Sequence, residues 1–236
     1  MPEGRYNLAL ETSGPVGSVT LGQGARILDT LTMPPQQRHR VDLMPTIDHL
    51  CQQHDVRPAD LAELYVSVGP GSFTGLRIGI TTVKILARVT GAKVVAVPTL
   101  EVLARNVEPP ESPQTRLVVG MNLKKDTLYA GVFAWAGSAW QLQDAPAVCR
   151  SEELLSTSPR PLWVLGEPLP GPWRERDIPG VTLLPPELAQ PQSVAVWEIG
   201  RALAERGQTI DPMALLPLYA RPPEAVALWQ KRHGGS

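Results

Sequence analysis

Three glycines within seven residues, Gly69-Pro70-Gly71-Ser72-Phe73-Thr74-Gly75, stand between an apolar run and a periodic one. Glycine takes backbone angles barred to other residues, so this cluster marks a tight turn. Leu64 to Val68 before it reads as a buried strand, and Thr74 to Thr90 after it as a helix stopped by Gly91. A turn of this kind aims backbone N–H groups and the positive end of the helix dipole at one point, which suits a phosphate. Ser72 and Thr74 add hydroxyls, one of them placed to cap the helix. Two readings fit: a capped tight turn, or a phosphate contact through Gly69, Gly71, Ser72, Thr74 and Gly75. The run is not a Walker A loop, because Leu76-Arg77 follows where Lys-Ser or Lys-Thr belongs. It also departs from the dinucleotide fingerprint and the nucleophile elbow.

Around the turn the chain alternates. Tyr6 to Thr12, Ser18 to Leu21 and residues 26–33 read as strands with turn chemistry at Ser13-Gly14-Pro15-Val16-Gly17. Val41 to Gln53 reads as a helix with Val41, Met44, Ile47, Leu50 and Cys51 near one face; Pro45 then belongs in its first turn. Lys93 to Val97 is a strand and Leu100 to Asn106 a short helix. This is an α/β lobe with a mixed sheet over residues 1–107. After Glu108-Pro109-Pro110 a loop-rich second lobe, 108–236, opens with strands at Arg116 to Met121 and Thr127 to Trp135. Short strands at Leu162 to Leu165 and Val181 to Leu184 follow, then a helix from Ser193 to Arg206 and a proline-rich tail with one last helix, able to pack back on the first lobe. Most of the 25 prolines lie in this second half.

The helix after the glycine turn carries two apolar stripes. Leu76, Ile80, Val83 and Ala87 form one, and Ile78, Thr82, Ile85 and Val89 the other, on nearly the opposite face. One stripe faces the lobe's own sheet. The other is covered by another part of the chain or awaits a partner.

A formal charge of -1 gives no basic excess of the kind bulk nucleic-acid binders carry. Cys51 and Cys149 lack metal or disulfide-framework spacing, and no histidine pair stands at i, i+4 among His39, His49, His54 and His233. No leader pattern and no run of eighteen apolar residues is evident, so the expectation is a cytoplasmic protein without a membrane span.

LALETSGPVGSVTL, SVGPGSFTGLRIGITTVKILA and VVAVPTLEVLA together resemble the TsaB (YeaZ-type) family over about residues 5–105. The likeness is weaker around Leu117 to Val132 and Pro217 to Arg221. The resemblance implies a two-lobed actin, Hsp70 and sugar-kinase (ASKHA) fold with mixed sheets flanked by helices. It implies a non-catalytic partner of the larger homologue TsaD, which transfers threonylcarbamoyl to N6 of adenosine 37 in tRNAs reading ANN codons. A TsaE-like ATPase joins the pair, a homodimer forms without TsaD, and tRNA is met only through the complex. ATP and a metal ion are then handled by the partner subunits. The contact implied lies on the helices 41–53 and 75–90, with Met44, Ile47, Phe73, Arg77, Ile78, Thr82, Ile85 and Val89 as its residues. The homologue's His-x-x-x-His metal ligands correspond to Thr99 and Leu103 here, so no metal site is expected. The superfamily's aspartate at the end of the first strand is Glu11, which with Ser13 and the glycine run makes a weak or vestigial phosphate loop. The Asp-Ala-Arg that TsaB proteins often carry is Asn122-Leu123-Lys124 here.

The glycine loop leaves a rival from another class: a nucleotide-dependent small-molecule kinase or ATPase of the same superfamily. A peptidase is a third reading, against which the sequence offers no zinc pair and no evident nucleophile triad. Lys124-Lys125 reads as a charged turn or a tRNA phosphate contact, and the six tryptophans as core or loop anchors.

Overall fold

A computed structural model describes residues 6–33, 39–124, 126–166 and 177–220. Lys125, Trp173, Trp229, His233 and the expected last helix lie outside the described residues.

Three strands open the chain: β1 (Tyr6–Glu11), β2 (Ser18–Gln23) and β3 (Arg26–Thr32). They are joined by β4 (Leu61–Gly69) and β5 (Lys93–Pro98) in the order β3-β2-β1-β4-β5. The first three are antiparallel neighbours, and β4 and β5 continue parallel to β1. Leu8-Ala9-Leu10 of β1 are apolar without alternation because both faces of this sheet are covered. Leu8 and Leu10 face helices α1 (His39–Gln53) and α2 (Phe73–Thr90), with Leu64 and Val66 beside them. Ala9, Tyr65, Val95 and Val97 point to the other face.

That other face is covered from far along the chain. Helix α5 (Ser193–Glu205) lays Ala195, Val196 and Ile199 on it. Trp197 Nε1 donates to Asn7 Oδ1, and a side chain at Gly200 would begin 2.6 Å from Tyr65 Cβ. Ser193 N donates to Ser18 Oγ at 2.9 Å. Residues 193–205 therefore belong to the first sheet, although they follow the second.

The second sheet contains β6 (Arg116–Lys124), β7 (Thr127–Trp135), β8 (Trp140–Leu142), β9 (Ala147–Arg150), β10 (Leu162–Gly166) and β11 (Val181–Leu183). Its order is β11-β10-β6-β7-β8, with β9 also on β7. An antiparallel hairpin is again followed by parallel strands on the other side of the leading strand. The two lobes thus repeat one topology, with mixed sheets flanked by helices. Helix α4 (Ser151–Thr157) covers one side, with Leu155 against Val118, Leu162 and Val164. Helix α3 (Thr99–Ala104) covers the other: Leu100, Leu103 and Val107 pack with Leu117, Phe133, Trp140 and Leu165. Trp140 anchors this junction by donating Nε1 to the Val107 carbonyl at 3.1 Å.

Two local expectations need correction. Pro45 sits in the second turn of α1, where it removes one backbone hydrogen bond. Burial of Leu43, Ile47, Leu50 and Cys51 holds the helix across that gap. The buried register runs through Leu43, and Met44 faces outward. Strand β6 runs beyond Met121 through Asn122-Leu123-Lys124, with Asn122 opposite Leu128 and Lys124 opposite Thr127.

Candidate functional site

The ends of β1 and β4 bring the turn at Thr12–Gly14 against the glycine loop. Gly69 ends β4 at φ 115°, and the Leu218 carbonyl occupies the place its side chain would take. Gly69 N donates to Thr99 Oγ1 at 3.1 Å, and Ser72 N donates to the Ser13 carbonyl at 2.7 Å. Ser72 is the N-cap of α2: its Oγ accepts from Gly75 N at 3.2 Å, and its carbonyl accepts from Leu76 N at 2.9 Å. Four amides of the loop and first helical turn are therefore bound inside the chain rather than aimed at an anion. The glycines answer to the same contact. A side chain at Gly71 would start 2.6 Å from Ser13 Cβ, and one at Gly75 or Gly79 would strike Thr12.

Glu11 is fully buried, and its Oε1 accepts from the Ser13 amide two residues on. Burial pushes its carboxyl above the usual carboxylate range, while the Ser13 hydrogen bonds pull the other way.

A cleft of ≈ 270 Å³ lies between the lobes, lined by Ser13, Gly71, Thr99, Leu103, Asn122 and Gly166 among others. No lysine, arginine or histidine is among the described residues that line it. Of the residues expected to form a phosphate loop, Ser13 and Gly71 reach this cleft. Glu11, Gly69 and Gly75 are buried, and Ser72 and Thr74 are exposed. Thr99 and Leu103, the positions matching the homologue's histidines, offer one hydroxyl already used by Gly69 and one aliphatic chain. Among the described residues no group of three His, Cys, Asp or Glu is placed to hold a metal. No helix there is long and apolar enough to cross a membrane.

The second feature is the outer face of α2. Leu76, Ile80, Val83 and Ala87 are buried in the first lobe's core. On the other stripe Ile85 and Val89 are 59% and 76% exposed, Thr82 is half-buried, and Ile78 is half-buried against the core. Phe73 and Met44 are exposed beside it. Ile47 does not belong to this surface: only 4% exposed, it packs inward with Leu43 and Leu50. Arg77 lies over the Phe73 ring at 5.1 Å, and Tyr219 stacks on that ring at 4.9 Å.

Tyr219 belongs to the proline-rich tail, which packs back on the first lobe as expected. After α5 the chain bridges to β5 through Ile210 N and the Val94 carbonyl at 2.9 Å. It then runs along α2, with Lys84 Nζ 3.4 Å from the Met213 carbonyl, and reaches β4 where Leu218 N donates to the Val68 carbonyl at 2.7 Å. Leu215 is buried, while Met213 and Leu216 are 68% and 71% exposed. The apolar run Met213 to Leu218 was the available signal, and it extends the outer face of α2.

Comparison with known proteins adds to this geometry. Residues 34–163, more than half of the chain, match the family model of TsaD, tRNA N6-adenosine threonylcarbamoyltransferase. A tRNA threonylcarbamoyladenosine biosynthesis protein TsaB from Bacillus subtilis (strain 168) is 38% identical over 100 residues. That stretch is 42% of this chain and 43% of the relative, so less than half of the relative's length is matched. The structure of YeaZ from Pseudomonas aeruginosa superposes with a TM-score of 0.76 at 23% identity, covering 91% of this chain and 99% of that one. A protein described as similar to peptidase YEAZ from Pseudomonas aeruginosa superposes at 0.74, also at 23% identity, over 92% of this chain and 100% of that one. At such identity these two structures speak for the fold.

Proposed function

The chain belongs to the TsaD family, within which it is similar to TsaB, and we propose that it is a non-catalytic partner subunit of the threonylcarbamoyltransferase. In this reading it supports formation of N6-threonylcarbamoyladenosine at adenosine 37 of tRNAs reading ANN codons without carrying out the transfer. The observation that carries it is the outer face of α2: large apolar side chains exposed on a well-capped helix whose opposite stripe is fully engaged. Such a face is costly to leave in water and suits a protein partner. The inter-lobe cleft supports the non-catalytic part, since four amides of the glycine loop and first helical turn are bound inside the chain and the buried Glu11 carboxyl stands behind Ser13. A kinase or ATPase needs a cation or free amides for the transferred phosphate, and the described lining supplies no cation.

Met44, Phe73, Arg77, Ile78, Thr82, Ile85 and Val89 then form the contact with the TsaD-type subunit, extended by Met213 and Leu216. A TsaE-like ATPase, ATP and the metal ion belong to the partner subunits, tRNA is met through the complex, and a cytoplasmic setting follows from that role. Depleting the protein and measuring the modified nucleoside in total tRNA tests the function. A fall is expected; unchanged levels in cells without a second copy would overturn it.

A further inference from the structure

Within its 18 residues α2 holds Arg77, Lys84 and Arg88 and not one carboxylate. With Thr81 they follow the spacing four, three, four, so they share one line along the helix. That line borders the apolar arc of Ile78, Thr82, Ile85 and Val89 on one side, and the Met213 segment, which Lys84 touches, on the other. Among the described residues neither Arg77 nor Arg88 forms an ion pair, and both are exposed. The nearby Asp211 is engaged by the Met213 amide at 2.9 Å. Arg77 is held in place by the Phe73–Tyr219 stack.

We infer that the occupant of this face is a protein surface with an apolar ridge flanked by a row of carboxylates, matching Arg77, Lys84 and Arg88 over about 16 Å. This rests on the partner-subunit reading and adds the chemistry by which the partner is chosen. Apolar contact supplies the affinity, and the cationic line sets register and speeds encounter. A nucleic-acid strand fits less well. The same surface exposes Ile85, Val89, Met213 and Leu216, which meet a phosphate backbone poorly. The α2 of a second copy of this chain offers no carboxylate to pair with that line.

The test is association of the full-length protein with the purified TsaD-type transferase at rising salt, for wild type, Arg88→Glu, Arg77→Glu/Arg88→Glu and Ile85→Asp. Both arginines are exposed, and Arg88→Glu leaves the Phe73 stack untouched if the double variant folds poorly. Wild-type association is expected to slow at least tenfold between about 50 and 500 mM salt. The double reversal is expected to associate about 100-fold more slowly at low salt and to lose that salt dependence, with Arg88→Glu between. Salt-independent association, unchanged in the arginine variants but abolished by Ile85→Asp, overturns the acidic-partner inference and keeps the partner reading. Absence of wild-type binding overturns the reading beneath it. Normal transferase binding by the double variant together with lost binding of labelled tRNA assigns the line to RNA and also overturns the inference.

Discussion

The carbonyl oxygen of Thr12 lies where the side chain of any residue other than glycine at position 75 would begin. This contact seats α2 on the turn after β1, and Ser72 caps the helix within the same few residues. The glycine loop is thus a fitting between two parts of one lobe, and it sets the direction in which α2 presents its outer face.

Gly75→Ala is therefore expected to destabilise the protein by about 2–4 kcal/mol, because a backbone oxygen must move to admit one methyl group. Gly91 is a control. It sits at positive φ, which Gly75 does not, and nothing lies within 4 Å of its missing side chain. Gly91→Ala should cost only about 1 kcal/mol, the conformational penalty of φ 73°. Urea unfolding of the two variants beside wild type checks the ranking.

Glu11→Gln should change how stability depends on pH. Burial raises the folded-state pKa of Glu11 above the ordinary glutamate value. A carboxyl so raised contributes stability that is fully present below the unfolded value and is lost as pH rises through the folded one. Glutamine does not titrate and still accepts from the Ser13 amide. The stability of wild type relative to Glu11→Gln should fall as pH rises from about 4.5 toward neutrality. Parallel profiles across a series of denaturation curves would contradict the assignment.

The division at residue 107, natural in the sequence, does not separate two independent units. A fragment of residues 1–107 loses the α5 cover over Ala9, Tyr65, Val95 and Val97, and the second-lobe partners of Leu100 and Leu103. It is expected to be unfolded or aggregated by circular dichroism. In the full chain, Trp197→Phe leaves Asn7 Oδ1 buried without its donor and should cost about 1–3 kcal/mol.

These contacts also mark what the sequence could and could not disclose. Strands β1, β4 and β5 and the helix α2 were legible because apolar runs and a doubled four–three–four stripe leave a strong signal, with Gly91 as a visible stop. Strands β8 and β9 and helix α4 were missed, since three, four and seven residues hold too little period to separate from loop. The 3.6-residue period of Ser193 to Glu205 announced a helix but said nothing of which sheet it would meet. Pro45 misled because propensity is local, whereas the burial of Leu43, Ile47 and Leu50 that outweighs it is tertiary. For the site, the outer stripe of α2 was visible. In α1 the stripe was read through Met44 instead of Leu43, which put the buried Ile47 on one face with the exposed Met44, and Met213 and Leu216 were lost among prolines that spell loop.

The outer face of α2 is the centre of the functional account, and Ile85 probes it best. Ile78 is half-buried against the core, so its replacement would confound binding with folding; Ile85 is 59% exposed. The decisive measurement is the dissociation constant of the Ile85→Asp protein for the TsaD-type transferase beside that of wild type, with matched thermal unfolding. The account predicts at least about 100-fold weaker binding, near 2.7 kcal/mol, with unfolding unchanged. Equal dissociation constants would contradict it.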